Sequence, residues 1–90
     1  MASDPTWDRA VRKAFGDRIK AIRCHTSLSQ EELAHRCGLD RSYIGQVERG
    51  ESNLSLVNIY RIAEGLGVPA STLVGELNAT LDFDPQEGSK

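Results

Sequence analysis

Two cysteines and two histidines are the residues whose types first suggest metal or redox chemistry: Cys24, His25, His35 and Cys37. Thiolate and imidazole groups are common zinc ligands in proteins. If residues 35 and 37 belong to one helix, however, their side chains point about 200° apart and cannot easily share an ion. We therefore expect no metal site and interpret Cys37 as a small buried apolar residue. A disulfide between Cys24 and Cys37 is the less favoured alternative.

A second group of residues offers hydrogen bonds rather than metal ligands. Arg41, Ser42, Tyr43 and Gln46 follow the stretch LAHRCGLD and supply donors and acceptors that a core does not need. The sequence contains no acid pair or Ser, His and Asp set that suggests a cleft, and the two glycines in 65–67 end a helix instead of cradling a phosphate. We therefore expect a binding surface, no enzyme activity and no cofactor.

The spacing of apolar residues predicts an all-α protein of five helices. The first helix is expected from Asp4-Pro5 to about Cys24, because proline is well tolerated in the first turn of a helix. Its inward positions are Val11, Phe15, Ile19 and Ile22. Ser29 and Glu32 form a capping box that begins the second helix, and Gly38 ends that helix.

The other three helices are short, and a cap residue, proline or glycine marks their bounds. Asp40 is expected to cap the third helix and Gly50 to end it. Ser55 caps the fourth helix, Gly67 ends it, and Pro69 opens the fifth. The inward residues expected on the fourth helix are Leu56, Ile59, Ile62, Ala63 and Leu66.

Gly38 leaves almost no chain between the second and third helices. Glycine can take a left-handed conformation at low steric cost, and the small side chain of Ala34 lets the two helices approach closely. Leu39, Ile44 and Val47 then tie the third helix to the core. Such a corner is typical of a helix-turn-helix, and it projects a short helix whose outer face fits the major groove of B-DNA, about 12 Å wide.

The composition is that of one small globular domain. Of the 90 residues, 39% are hydrophobic and 27% are charged. No stretch approaches the roughly 20 apolar residues of a membrane span, and the acidic N-terminus is unlike a secretory signal. Two cysteines are too few for a disulfide framework. We therefore expect a cytoplasmic protein that does not associate with membranes.

The net charge of −2 is unevenly distributed along the chain. Residues 9–49 contain nine Lys and Arg against five Asp and Glu, whereas residues 50–90 contain two against six. A basic half can meet phosphates while an acidic half faces away. Charges that only solvate the helices are the alternative, and the distribution alone does not decide between the two.

A family resemblance is carried by the stretch FGDRIKAIRCHTSLSQEELAHRCGLDRSYIGQVERGESNLSLVNIYRIAEGLGVPASTL. It resembles the Cro/C1-type (XRE family) helix-turn-helix transcriptional regulators, and the run LDRSYIGQVERGESNLSLVNI is most similar to restriction–modification controller proteins. The resemblance implies a compact five-helix, lambda-repressor-like DNA-binding domain over residues 15–77. Residues 1–14 are then an N-terminal extension with the start of the first helix, and residues 78–90 are an acidic, flexible tail. The family usually has glycine at Ser27 and serine at Asp40, and controller proteins often carry a basic residue near Ser52.

The resemblance also implies a function and the residues that perform it. A homodimer would bind a pseudo-palindromic double-stranded operator, with residues 41–49 of each copy in successive major grooves about 34 Å apart. The implied base readers are Arg41, Ser42 and Gln46. The implied phosphate-binding residues are Gln30, Tyr43, Arg49, Asn53 and Ser55. Gln30 as a simple cap, Tyr43 as a surface cover and Arg49 as a helix C-terminal charge are the alternatives.

Two further sets of residues follow from the same resemblance. Arg23 and Glu48 match a family pair that bridges the first and third helices, so we interpret Glu48 as structural. The expected dimer interface comprises Leu66, Val68, Leu73, Val74 and Leu77. These apolar residues can instead seal the fifth helix onto the core, and Trp7 either packs on the first helix or extends the interface.

Two functions of different classes are open at this stage. The first is a transcriptional regulator whose partners are a DNA operator and a second copy of the chain. The alternative is an antitoxin-type protein-interaction module whose DNA binding is secondary and autoregulatory, and the acidic residues 78–90 favour it. A partner protein such as a toxin or RNA polymerase is a further candidate.

Overall fold

The computed structural model describes residues 5–77, and within this range the chain is helical apart from short connections. The five helices are α1 (Pro5–His25), α2 (Gln30–Cys37), α3 (Arg41–Glu48), α4 (Leu56–Leu66) and α5 (Ala70–Val74). The predicted all-α, five-helix class is therefore confirmed. The predictions for residues 1–4 and for the acidic segment 78–90 lie outside the described residues.

One aliphatic core holds the helices together. α2 packs against α3 and α4, while α1 packs against α3 and α5. The largest fully buried side chains come from all five helices: Ile19, Leu33, Ile44, Val47, Ile62 and Leu73. Burial of each such side chain stabilises the fold by about 1.5–3 kcal/mol. Cys37 belongs to this core, as predicted, and both Cys37 and the exposed Cys24 are free thiols.

The tight corner between α2 and α3 forms as predicted. The Ser29 hydroxyl accepts a hydrogen bond from the Glu32 N–H at 3.0 Å, and the Ser29 N–H donates to Glu32 Oε1 at 2.8 Å. Hydrogen bonding from Ser29 to the carboxylate, above all from its backbone N–H, holds the pKa of Glu32 below its ordinary value of 4.5. Gly38 ends α2 in the left-handed conformation with φ 71°, and buried Ala34 lies one turn earlier.

Three predicted helix ends differ in detail. Asp40 occupies the N-cap position of α3, but its side chain makes no capping hydrogen bond. Arg49 is the C-cap residue of α3, and Gly50 follows it with φ 77°. Ser27, two residues after the end of α1, takes the left-handed conformation with φ 61°. There the Leu28 N–H donates to the Arg23 carbonyl, as in the helix ends that usually carry glycine.

α1 is fixed to the ends of two other helices. A Cβ at Gly16 would lie 2.8 Å from the Glu48 carbonyl oxygen, so the absence of a side chain lets α1 pass close to the end of α3. Arg12 Nε donates to the Gly50 carbonyl at 3.2 Å. On the other side, Arg18 Nη1 donates to the carbonyls of Thr72, Leu73 and Gly75 around the end of α5. α1 therefore positions α3 and α5 together.

The prediction that Leu56 faces inward is wrong. Leu56 is 70% exposed in the first turn of α4, whereas Ile62, Ala63 and Leu66 on the same helix are buried as expected. Ile59 in the same turn packs against the core, but Leu56 at the start of α4 remains in solvent. Within residues 5–77, no helix is both long and apolar enough to cross a membrane.

Candidate nucleic-acid interface

α3 presents one polar face to solvent. Arg41, Ser42 and Gln46 are exposed, while Ile44 and Val47 anchor the opposite face in the core. Because Ser42, Gln46 and Arg49 follow one another by four and three residues, they lie along one side of the helix. The three residues that sequence reasoning named as base readers are therefore accessible on the helix that the corner projects.

A buried ion pair removes the one acidic side chain of α3 from this outer face. Arg23 Nε donates to Glu48 Oε2 at 2.6 Å, and Arg23 Nη2 donates to Glu48 Oε1 at 3.0 Å. Arg23 is 9% exposed and Glu48 5%. The hydrogen bond to Glu48 raises the pKa of Arg23, which stays charged. Since two charged groups neutralise each other here, Glu48 presents no free negative charge to an approaching phosphate.

Gln30 is also held by this pair. Its Nε2 donates to Glu48 Oε1 at 3.0 Å, so the side chain bridges the start of α2 to the end of α3. Gln30 is the first residue of α2, where free backbone N–H groups and the helix dipole favour an anion. The structure therefore fixes Gln30 beside the outer face of α3 before any ligand binds.

Tyr43 makes a contact that sequence reasoning missed. Asn58 Nδ2 donates to the Tyr43 hydroxyl oxygen at 3.1 Å, which links α3 to the first turn of α4. The Tyr43 hydroxyl keeps its own proton as a donor. Asn58 falls between apolar residues in a helical pattern, and nothing in that spacing indicates a partner on another helix.

The remaining three predicted phosphate-binding residues lie around the connection from α3 to α4. Arg49 donates from Nε and Nη2 to the Glu51 carboxylate at 3.0 and 3.1 Å. The pair raises the pKa of Arg49 and lowers that of Glu51, but both side chains are more than half exposed, so the pair is weak and can exchange for a phosphate. Ser55 Oγ accepts from the Asn58 N–H at 3.2 Å as the α4 cap, and Asn53 is exposed.

An apolar surface on α4 is a second feature that the sequence did not predict. We call it the α4 patch, and it is lined by Leu56, Val57, Tyr60, Val68, Pro69 and Ala70. Val57 and Tyr60 are each 60% exposed. Large apolar side chains that are exposed together on one surface can mark a protein–protein contact. Arg61 and Glu64 line the same surface with opposite charges.

The residues predicted for the dimer interface do not form one surface. Leu73 is fully buried and Leu66 is 6% exposed, so both side chains pack in the core of the monomer. Val74 and Leu77 line a separate recess with Phe15 and other residues from α1 and α4. Of the five, Val68 alone borders the α4 patch.

The family is decided by sequence comparison. A family model described as helix-turn-helix matches residues 19–73, which is more than half of the chain. The chain belongs to this family. It is 45% identical over 65 residues to the control protein C.BamHI of Bacillus amyloliquefaciens, covering 71% of this chain and 80% of that protein. It is 40% identical over 68 residues to the control protein C.MunI of a Mycoplasma species, covering 74% of this chain and 92% of that protein.

A solved structure of high identity agrees with the sequence comparison. The crystal structure of the restriction–modification controller protein C.AhdI from Aeromonas hydrophila is 48% identical, with a TM-score of 0.68 over 69% of this chain and 94% of that one. This helix-turn-helix protein is therefore a transcriptional regulator of the Cro/C1 type (XRE family) with a DNA-binding domain, not an enzyme. Among residues 5–77, no three His, Cys, Asp or Glu side chains are grouped as metal ligands.

Proposed function

We propose that this regulator binds a pseudo-palindromic operator as a homodimer and reads its sequence with residues 41–49 of each copy in the major groove. The observation that carries the proposal is the arrangement of α3. Its outer face offers Arg41, Ser42 and Gln46 to solvent, while Arg23 neutralises the carboxylate of Glu48. A helix with exposed donors and no free negative charge suits a surface of phosphates and base edges.

Base reading is assigned to the three exposed residues of α3. Arg41 is in the first turn, where its guanidinium can pair with O6 and N7 of guanine. Ser42 can donate or accept, and Gln46 lies one turn further on, where its amide can pair with adenine. We expect Arg41 to contribute most to the preference for one base, because bidentate arginine–guanine pairs discriminate by about 1–3 kcal/mol.

Phosphate binding is assigned to the five residues that surround α3: Gln30, Tyr43, Arg49, Asn53 and Ser55. Gln30 and Tyr43 are held in position by Glu48 and Asn58. Such preorganised contacts fix the register of the protein on the duplex but do not themselves read sequence.

Dimerisation is assigned to the α4 patch. Two copies related by a two-fold axis place the same surface against itself. Leu56, Val57 and Tyr60 then become buried, and Arg61 of one copy can face Glu64 of the other, since both charges border the patch. An interface on α4 would also be linked to α3, because the Asn58 side chain in α4 donates a hydrogen bond to the Tyr43 hydroxyl oxygen in α3.

The named relatives suggest the biological setting. Two are control proteins and one is a restriction–modification controller, so we propose that this regulator controls genes of such a system, including its own, in the cytoplasm. Residues 15–77 would be the DNA-binding unit. The alternative antitoxin-type role depends on the acidic residues 78–90, which lie outside the described range, and co-purification with a toxin-sized protein would favour it over the operator-binding role.

Selection of bound duplexes from a random pool, with the full 90-residue chain, tests the proposed function. We expect enrichment of two inverted half-sites whose centres are about one helical turn, or about 34 Å, apart. Enrichment of single half-sites would contradict the dimer. If no sequence is enriched above a scrambled competitor, the operator-binding function is wrong.

A further inference from the structure

A strongly basic groove lies between the N-terminal half of α1 and the turn after α3. Its walls include Arg9, Arg12, Lys13, Arg49, Gly50 and Glu51. Four of these side chains are cationic and one is acidic. Arg9, Arg12 and Lys13 precede residues 19–73, which the family model matches, whereas Arg49, Gly50 and Glu51 lie within that range. The basic groove therefore joins the first half of α1 to the helix-turn-helix.

The cations of the basic groove are largely available to a ligand. Within residues 5–77, neither Arg9 nor Arg12 is paired with a carboxylate. Lys13 pairs with Asp17, but both side chains are more than half exposed, as are Arg49 and Glu51. Exposed pairs of this kind are weak and are easily replaced by a stronger anion. Arg12 uses only Nε, to hold the Gly50 carbonyl.

Arg49 connects the basic groove to the outer face of α3. A Cβ at Gly45 would lie 3.1 Å from Arg49 Nη1 and 3.9 Å from Gln30 Oε1. The guanidinium of Arg49 therefore lies back along α3, beside Gln30. A neighbouring recess continues the same surface along α1 and is lined by Lys13, Asp17, Lys20, Gln30, Glu48 and Arg49. Its two carboxylates are already paired, Asp17 with Lys13 and Glu48 with Arg23. From Arg9 to Lys20 this cationic strip spans about 16 Å of helix.

We propose that the basic groove binds the DNA sugar–phosphate backbone that borders the major groove occupied by α3. Arg9 and Lys13 are the groove residues that contact phosphate, and Arg49 joins these contacts to those of Gln30. This inference rests on the proposed function. The backbone is the ligand that the surface fits, because the cations form an elongated strip instead of converging on one point. Arg49 also joins this strip to the end of α3.

The test uses the variant Arg9→Ala with Lys13→Ala in the full chain, bound to the selected operator at a series of salt concentrations. Arg12 is kept because it also holds Gly50. The matched control is Arg36→Ala, which removes an exposed cation of α2 that borders a different recess. Circular dichroism confirms that each variant is folded.

We expect the magnitude of the slope of log K, the association constant, against log salt concentration to fall by about 0.9 for each phosphate that the double variant no longer neutralises. The preference for the operator over scrambled DNA should be unchanged. Ethylation interference should disappear at one or two discrete phosphates in the double variant. A slope equal to that of the wild type, or an equal fall in Arg36→Ala, would overturn the inference while leaving the proposed function intact. If the wild type binds no operator, the proposed function itself fails.

Discussion

Glu48 lies on the helix that we propose reads DNA, yet both its carboxylate oxygens accept hydrogen bonds from Arg23, at 2.6 and 3.0 Å. A carboxylate on a DNA-facing helix would repel phosphate if it were free. Here the guanidinium of α1 holds it below the surface and fixes the angle between α1 and α3. Breaking such a buried pair from one side costs more than removing both partners, because one charge is left unpaired.

We therefore expect Arg23→Met to lower the free energy of unfolding by about 3–5 kcal/mol, since Glu48 then stays buried without a counter-charge. The variant with both Arg23→Met and Glu48→Met should be clearly more stable than Arg23→Met alone. Urea unfolding followed by circular dichroism measures the free energy of unfolding of both variants. Equal instability of the single and double variants would contradict this account of the pair.

Arg41→Ala should relax the preference for the operator at a cost of about 1–3 kcal/mol in specific binding. The reason is the loss of a bidentate pair to guanine, while the exposed position of Arg41 leaves the fold unaffected. Fluorescence anisotropy with the operator and with single-base variants measures the change. Arg36→Ala is the control, and unchanged discrimination in Arg41→Ala would remove this residue from the base readers.

Gln30→Ala should weaken binding by a similar factor for every DNA sequence. The side chain lies at the start of α2, where an amide can hold a phosphate but not a base edge. Binding to the operator and to a scrambled duplex, measured under identical salt conditions, tests this. A loss confined to the operator would make Gln30 a base reader instead.

Val57→Asp should convert the proposed dimer to a monomer, because it places a charge within the α4 patch that we propose as the interface. Sedimentation equilibrium measures the dissociation constant, and the monomer should still be helical since Val57 is exposed. Val74→Asp is the matched control, because Val74 is exposed in a different recess. If Val74→Asp dissociates the protein and Val57→Asp does not, the interface lies at the recess that contains Val74.

Glu32→Gln should make the stability less dependent on pH. The pKa of Glu32 is lowered in the folded protein by hydrogen bonds from Ser29. The stabilising effect of its charge is therefore present above the unfolded pKa and is lost as the pH falls through the folded value, below 4.5. The difference in melting temperature between wild type and Glu32→Gln should shrink as the pH falls below 4.5. Glu31→Gln, which takes no part in the capping box, should show no such trend.

The helices could be predicted from sequence because local signals agreed with the fold. Ser29 and Glu32 cap α2, Gly38 ends it, and Ser55 caps α4 through its hydroxyl. These features depend on neighbouring residues along the chain. The ends of α1 and α3 were less predictable, because Ser27 takes a left-handed conformation that usually favours glycine and Asp40 forms no capping bond.

The surface was harder to predict than the helices. Periodicity shows which side of α4 faces inward, but it does not show where the neighbouring helices stop, so Leu56 was placed in the core although it is exposed. The link from Asn58 to Tyr43 and the contacts of Arg18 with α5 join residues far apart in sequence, and no local pattern indicates such partners.

Arg18 and Arg23 lie on one helix, about 7.5 Å apart along its axis. Arg18 bonds to the end of α5, and Arg23 bonds to Glu48 of α3. Because α5 begins beside the α4 patch, α1 sets the distance from the proposed contact between copies to α3, the proposed reading helix. Inserting one residue between the two arginines would rotate one arginine side chain by about 100° around the helix axis relative to the other. The operator spacing that a dimer accepts would then change without any substitution on α3.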